Sequence, residues 1–506
     1  MKKLFFSAAA LMCGTLMFAQ SNNSDVDQVG SGNASVVSQT GMTNNSDVDQ
    51  VGDTNDSDVM QDGVSNDSDV DQLGNDNEGD VIQLGDNNQS DIHQGFGGGA
   101  SVNDNNTASV TQTGNSNTGH IDQYGDTDGS DNNFSAINQT GNGNVAFNYQ
   151  NGDQNSSTQD QNGNSNYSLV SQLGDSNISD EDQTGDGNFS DTDQWGDMNY
   201  SQMTQSGDDN DSRVLQSGDS NYSDVFQNGN LNDSDVEQYG NSNYSDVDQW
   251  GNENVSTSVQ TGDFNIQYTH QGVYGDRNNS ATIQTGNNNY AHTDQYGLYI
   301  GGGSNDSQST ITQVGDNNNA FTVQQGDFNG SNVWQYGNTN DSDVIQTGDG
   351  NFSYNYQGAP FDAITASSDN NISSVTQTGN NNWNGTDQYT PVGDGSDFNY
   401  SAVTQTGDNN YSFTAQFDDN HTSTVDQLGD DNHSEVRQHG DANSSIVLST
   451  GDFNISDVNQ SGLMHTSTVN QLGDMNNSDV DQTGTTHSSS VDQIGDSNSS
   501  TVIQND

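Results

Sequence analysis

The residues with most chemical reach in this 506-residue chain are carboxylates set two apart. Asp47 and Asp49, Asp69 and Asp71, and Asp246 and Asp248 each sit inside the phrase Ser-Asp-Val-Asp-Gln. Alternating acids offer oxygen ligands to a hard cation such as Ca2+. Around Asp67-Ser-Asp69-Val-Asp71 the spacing approaches that of a helix–loop–helix calcium loop, with Glu78 at its twelfth position. Gln72 stands where such a loop needs glycine, and the segment has a strand pattern. The expectation is therefore diffuse, nonspecific binding of Ca2+ or other divalent ions along the acids, with no cofactor and no discrete metal centre.

Other reactive types are sparse. The histidines read mostly as substitutes for a turn asparagine, as at His421, His465 and His487. His433 and His439 flank Arg437 and could offer two imidazoles to a metal, but a structural role suits them better. Trp195 and Trp250 are expected to pack on neighbouring repeats in preference to stacking on a sugar. No Ser-His-Asp, Cys-His or paired-carboxylate arrangement stands out, and Ser and Asp are so frequent that their presence carries no catalytic information. The chain reads as a non-enzyme.

What positions the acids is a repeat. Ser46-Asp-Val-Asp-Gln-Val-Gly-Asp-Thr-Asn55 is followed eleven residues later by a copy from Ser57, and eleven after that by one from Ser68. There are 41 such units, with Ser449 alone replacing the glutamine. In Ser-x-Val-x-Gln the period is two, so Ser, Val and Gln share one face and the acids the other. The Gly-x-x-Asn that follows supplies residues tolerant of positive φ and able to cap their own backbone. One strand and one turn bury nothing alone, whereas stacked copies bury the inner face. The expected stacking ladder is Ser46, Val48, Gln50, Gly52 and Asn55, then Ser57, Val59, Gln61, Gly63 and Asn66, then Ser68, Val70 and Gln72.

The residue after the glutamine alternates between Thr and an aromatic over several stretches, as in Thr113 then Tyr124, and Thr285 then Tyr296. That predicts two non-equivalent strands per coil. The fold expected is thus all-β: a β-solenoid of strand-turn-strand coils of about 22 residues, with two facing parallel sheets. Insertions near 95–106, 125–133, 272–278, 297–307, 358–371 and 390–399 fall in three pairs, each pair two units apart. Each pair would leave the same edge of adjacent coils.

Composition alone suggests something else. Hydrophobic residues make up 26%, and five Lys and Arg face 72 Asp and Glu, for a net charge of −67. Such values usually mean disorder, but a disordered acidic chain has no reason to keep Gln, Gly and Asn in phase. A nucleic-acid partner is excluded by polyanion repulsion. Lys2 and Lys3, an apolar run and Ala19-Gln20 read as a signal peptide over 1–19, cut between Ala19 and Gln20, leaving 20–506 as the repeat region. No other apolar run is long enough to span a membrane. Cleavage would remove the single cysteine, Cys13, so the exported chain would carry no disulfide.

The spacing Ser-x5-Gln-x-Gly-x2-Asn-x-Ser-x3-Gln, seen from Ser46 to Gln61 and again from Gln216 to Gln227, resembles the repeat of curlins, the subunits of bacterial curli amyloid fibres. The resemblance extends from about Ser24 to Gln504. It implies self-assembly into extracellular fibres of a diderm bacterium's surface, for biofilm matrix and adhesion. Its implied partners are further copies of the chain, a nucleator subunit and an outer-membrane secretion channel. This chain differs in its many units, its acidity, and the short gap between signal and first repeat. Repeats that run nearly to both termini without polar caps also favour end-to-end polymerisation. Two other readings compete: a monomeric secreted solenoid, adhesive or ice-binding, and a disordered acidic cation-binding polymer.

Overall fold

The computed structural model describes residues 21–95, 103–125, 130–273, 275–297, 304–358, 368–389 and 396–506. The proposed signal peptide with its Ala19–Gln20 cut, and much of the six insertions, lie outside them. Among the described residues the regular structure is entirely β, in 41 strands numbered β1 to β41 along the chain. The disordered-polymer alternative does not describe this fold.

The chain divides into two compact units, Met1–Asp197 and Met198–Asp506. Each is a β-solenoid. In the first unit β1 (Asn23–Val29), β3 (Asn45–Val51) and β5 (Asp67–Leu73) lie side by side, parallel and in register, so that Gln28 faces Gln50 and Gln50 faces Gln72. The even strands β2 (Ala34–Met42), β4 (Asp56–Val64) and β6 (Glu78–Leu84) form the second parallel sheet. One turn of the solenoid is therefore two strands and 22 residues. The second unit follows the same rule, as where β18 (Tyr222–Asn228) pairs with β20 (Tyr244–Trp250), and β17 (Asp211–Ser217) with β19 (Asp233–Tyr239).

The pleat decides the interior. Val48, Val59, Val70, Val81 and Ile92, drawn alternately from the two sheets, form one apolar cluster in the first unit. Val436, Val447, Val458, Val469 and Val480 do the same in the second. Polar stretches interrupt this core. Asn148, Gln159, Glu181 and Thr192 take the central position in the first unit and are fully buried there.

The turns correct one expectation. The positive φ falls on Gly52 (128°) and on Thr54 (63°), the residue before the asparagine, and not on Asn55. A Cβ on Gly52 would sit 1.8 Å from the Gly74 carbonyl oxygen of the next coil, so glycine is needed there for close approach. The left-handed position even carries Phe264, Phe328 and Phe453 (φ 59° each), which bulky residues rarely adopt. Inter-coil bonds hold it: the Thr54 N–H donates to the Ser31 carbonyl at 3.0 Å and the Gly52 N–H to that of Val29 at 2.8 Å.

The strands that precede the paired insertions are neighbours in one sheet. They are β7 (Gln89–Gln94) with β9 (Thr118–Tyr124), β22 (Ile266–Val273) with β24 (Tyr290–Tyr296), and β29 (Phe352–Gln357) with β31 (Trp383–Gln388). The glutamine register is kept across them, Gln94 on Gln123, Gln271 on Gln295 and Gln357 on Gln388, with a register shift only after Gln271, where Val273 faces Tyr296.

Candidate functional site

The inward residues build a continuous stacking surface within each unit. Gln50 Nε2 donates to Gln72 Oε1 at 2.8 Å, and Gln72 Nε2 to Gln94 Oε1 at 2.9 Å. The second amide hydrogen goes sideways, Gln50 Nε2 to the Ala34 carbonyl and Gln61 Nε2 to that of Asn45, each at 2.8 Å. Each glutamine thus ties a coil both to the next coil and to its own opposite strand.

Asn55 works at the turn. Its Nδ2 donates to the Gly74 carbonyl at 2.9 Å, and its Oδ1 accepts the Asn77 N–H at 3.1 Å. Ser46, Val48, Ser57, Val59, Asn66, Ser68 and Val70 are buried beside these ladders. Gly52 and Gly63 are half-buried in the turns. The Ser46, Ser57 and Ser68 hydroxyls have no hydrogen-bond partner among the described residues. His421 replaces the turn asparagine and copies it: Nε2 bonds the Phe417 carbonyl at 2.7 Å and Nδ1 accepts the Asn443 N–H at 3.2 Å. Burial pushes its pKa down. At Ser449 the hydroxyl donates to Gln471 Oε1 at 3.1 Å, a shorter substitute for the amide.

The outward positions carry the charge. Asp47 stacks on Asp69 and Asp49 on Asp71 by register. Burial and neighbouring acids raise the Asp69 pKa to about 6, and burial with the Asp246 and Asp248 charges does the same for Asp224. Asp246 and Asp248 are half-buried, and burial raises both. Asp67, Asp69 and Asp71 lie on a straight strand, β5, which cannot wrap an ion as a calcium loop does. All three arginines in the described residues are engaged, most closely Arg277, whose Nε and guanidinium nitrogen each lie 2.8 Å from the Asp306 carboxylate. Arg213 lies 3.0 Å from Asp211, and Arg437 bonds Glu435.

Aromatic side chains form outward stacks as well. Tyr200, Tyr222 and Tyr244 lie nearly parallel with centroids 4.9 Å apart. Trp250 tilts against Phe226 at 4.9 Å, and Trp195 is about half exposed. His433 stacks on Tyr411 at 4.4 Å, and His439 lies 3.5 Å from Asp418; they do not converge on a common point.

Two clusters escape a reading of the repeat alone. In the first unit His93 on β7 meets His120 and Asp122 on β9: Asp122 Oδ1 lies 2.8 Å from His93 Nδ1, and Oδ2 lies 3.0 Å from His120 Nε2. In the second, Asp294 Oδ1 on β24 lies 2.8 Å from His270 Nδ1 and 2.9 Å from His292 Nε2. Four histidines therefore sit on outward strand positions and not at turns. Burial, which lowers the His120 pKa, is outweighed by its bonds to Asp122 and Asp91, which lift it to about 9. Burial would raise Asp122, but the two imidazoles hold it near 2, and the same balance sets Asp294 below the carboxylate range. A groove of about 350 Å³ beside the second cluster is lined by Asp248, Trp250, His270, Asp294 and Tyr296. A sequence signal existed: imidazoles one or three residues before a glutamine, on the strands that precede an insertion. The unequal insertion lengths hid the register that pairs them.

A family model described as "Curlin associated repeat" matches residues 20–52, 104–135 and 207–240. No curated protein matches the chain. Among the described residues no helix is long and apolar enough to cross a membrane.

Proposed function

We propose, from the curlin-repeat model that matches three stretches of the chain and from the geometry of its coils, that it is a structural subunit that assembles into extracellular, curli-like fibres of a biofilm matrix. The repeat family and the solenoid fold point to a structural protein, not an enzyme. The supporting observation is that each coil is the complement of the next. The glutamine ladder runs in one direction along the stack, Gln28 Nε2 to Gln50 Oε1, Gln50 to Gln72 and Gln72 to Gln94, while Asn and backbone groups bond the coils on both sides. β1 and β41 (Ser499–Asn505) are edge strands, β1 exposed along its length and β41 exposed at alternate residues. Gln28 Nε2 donates up the stack to Gln50, and Gln504 accepts from Gln482. A second copy whose β1 paired with β41 of the first would extend the glutamine ladder, and a head-to-tail contact of this kind propagates as a fibre when it does not close into a ring.

In this reading residues 1–19 direct export and are removed after Ala19, and a nucleator subunit and an outer-membrane channel serve the fibre at the cell surface. Charge sets the condition for growth. Two outward carboxylates 4.8 Å apart repel by about 0.9 kcal/mol in water, summed over many coils and screened by salt. Assembly is therefore expected to need salt, divalent cations or mild acid. The test is fibre growth followed by amyloid-dye binding and electron microscopy at pH 7. Growth in millimolar Ca2+ and little growth in low salt with chelator is the expected pair of results. Equal rates in both would refute the electrostatic condition while leaving the fibre reading standing.

A further inference from the structure

We infer that the two His-Asp-His clusters are discrete sites for a zinc-class divalent transition ion, one in each compact unit. The inference stands apart from the fibre reading and differs in kind from diffuse cation binding by the acids. Two imidazoles and one carboxylate are the ligand set of three-ligand zinc sites, which leave a fourth position for water or another donor. In both clusters the candidate atoms already converge, all lying within 4.8 Å of one another. Tetrahedral bonds of about 2.0–2.1 Å place ligand atoms about 3.3 Å apart. The imidazole-to-carboxylate separations, 2.8 and 3.0 Å to the two oxygens of Asp122 and 2.8 and 2.9 Å to one oxygen of Asp294, need to open by no more than about half an ångström, and the remaining ligand separations lie within 4.8 Å.

Recurrence carries the argument further than either cluster alone. In each, the first strand has His immediately before its ladder glutamine, as His93 before Gln94 and His270 before Gln271. The second strand has His and Asp at the third and first positions before its own glutamine, as His120 and Asp122 before Gln123, and His292 and Asp294 before Gln295. Both strand pairs end in the paired insertions. Four of the nine histidines are spent on these two places. The rings meet edge to face at 5.3 Å and 5.4 Å, so the same side-chain arrangement is built twice. The side chains are sheltered but reachable, with exposures of 17–25% in the first cluster and 17–36% in the second.

The molecule also contains its own control. The third insertion pair keeps the acid, Asp387, but has Tyr356 and Gly385 where the imidazoles stand in the other two. No ion is expected there.

The experiment is titration of the purified full chain with Zn2+, and with Co2+ as an optical probe, in an excess of Mg2+ that occupies the acidic ladder. Two saturable ions per chain are expected, with the visible absorption of imidazole-bound Co2+. His120→Gln and His292→Gln should each remove one ion, the double variant both, and His433→Gln neither. Far-ultraviolet circular dichroism checks that each variant keeps its β signal; where His120→Gln loses it, His93→Gln gives the same readout from the neighbouring strand. No binding that survives Mg2+, or a stoichiometry unchanged in the double variant, would overturn the inference.

Discussion

The two faces of each strand obey different rules. On the inner face Ser, a central residue and Gln recur from coil to coil, and Gln50, Gln61 and Gln72 make the same two bonds each. On the outer face the residues vary: paired aspartates on β3 and β5, a tyrosine stack on β18 and β20, and imidazoles with an acid on β7 and β9. The glutamine position of the inner face is uniform because each ladder amide finds its partner in the adjacent coil. The outer face has water for a partner and is free to carry local chemistry. Coil stacking thus resides in the first face and local chemistry in the second.

The largest effect expected from breaking this division is on the inner face. Val48→Asp buries an unpaired charge in the apolar cluster and should cost on the order of 3–5 kcal/mol, while Asp49→Val on the outer face should change stability by less than about 1 kcal/mol. Denaturant unfolding of the two variants distinguishes them; equal costs would erase the distinction between faces.

Glu181 is a natural exception on the inner face. Its carboxylate accepts the Ser168 and Ser190 hydroxyls at 2.5 Å each, yet burial outweighs these bonds and raises its pKa to about 7 from 4.5. Because the folded pKa is the higher one, the folded state holds the extra proton. The first unit is therefore most stable below pH 4.5 on this account, loses stability as pH rises to about 7, and is level above that. Glu181→Gln should remove the slope and stabilise the unit at pH 8 by about 3 kcal/mol, from 1.36 kcal/mol per pKa unit. Thermal unfolding at pH 4 and pH 8 checks it; a wild-type slope of opposite sign would contradict it.

On the outer face the pH effect has the same sign and a smaller size, since water screens it. Asp69, Asp224 and Asp387 are each raised to about 6, all with burial as the first cause. Their stabilisation is complete below the ordinary carboxylate pKa and is lost as pH rises through about 6. Asp69→Asn with Asp71→Asn should flatten the pH dependence of stability between 4 and 7, measured by the same melts. The smallest change expected is at a turn: Phe328→Asn, at φ 59°, should stabilise by about 1 kcal/mol, because Asn accepts the left-handed conformation that Phe resists.

The fold was legible because its determinants repeat. Gln in phase every eleven residues and Val between Ser and Gln specify a strand with one buried face, and the Thr-aromatic alternation pointed to two strands per coil. The turn was legible in position but not in detail. Asn55 looked like the residue for positive φ, but its side chain is needed for the next coil, so the strain passes to Thr54. The histidine clusters were hidden for a different reason. His93 and His120 are 27 residues apart in a 22-residue coil, and only the kept glutamine register, Gln94 on Gln123, reveals that they meet. Period reading finds what is repeated, and these clusters are departures from the repeat.

The central claim is that coils of separate chains add head to tail as coils within a unit do. Fibre diffraction of the assembled, purified chain tests it most directly. The account predicts fibres with a reflection at about 4.8 Å along the fibre axis, because strands stack along the direction of growth. A chain that stays monomeric and β-rich through salt, Ca2+ and mild acid, or fibres whose strands run parallel to the axis, would contradict it.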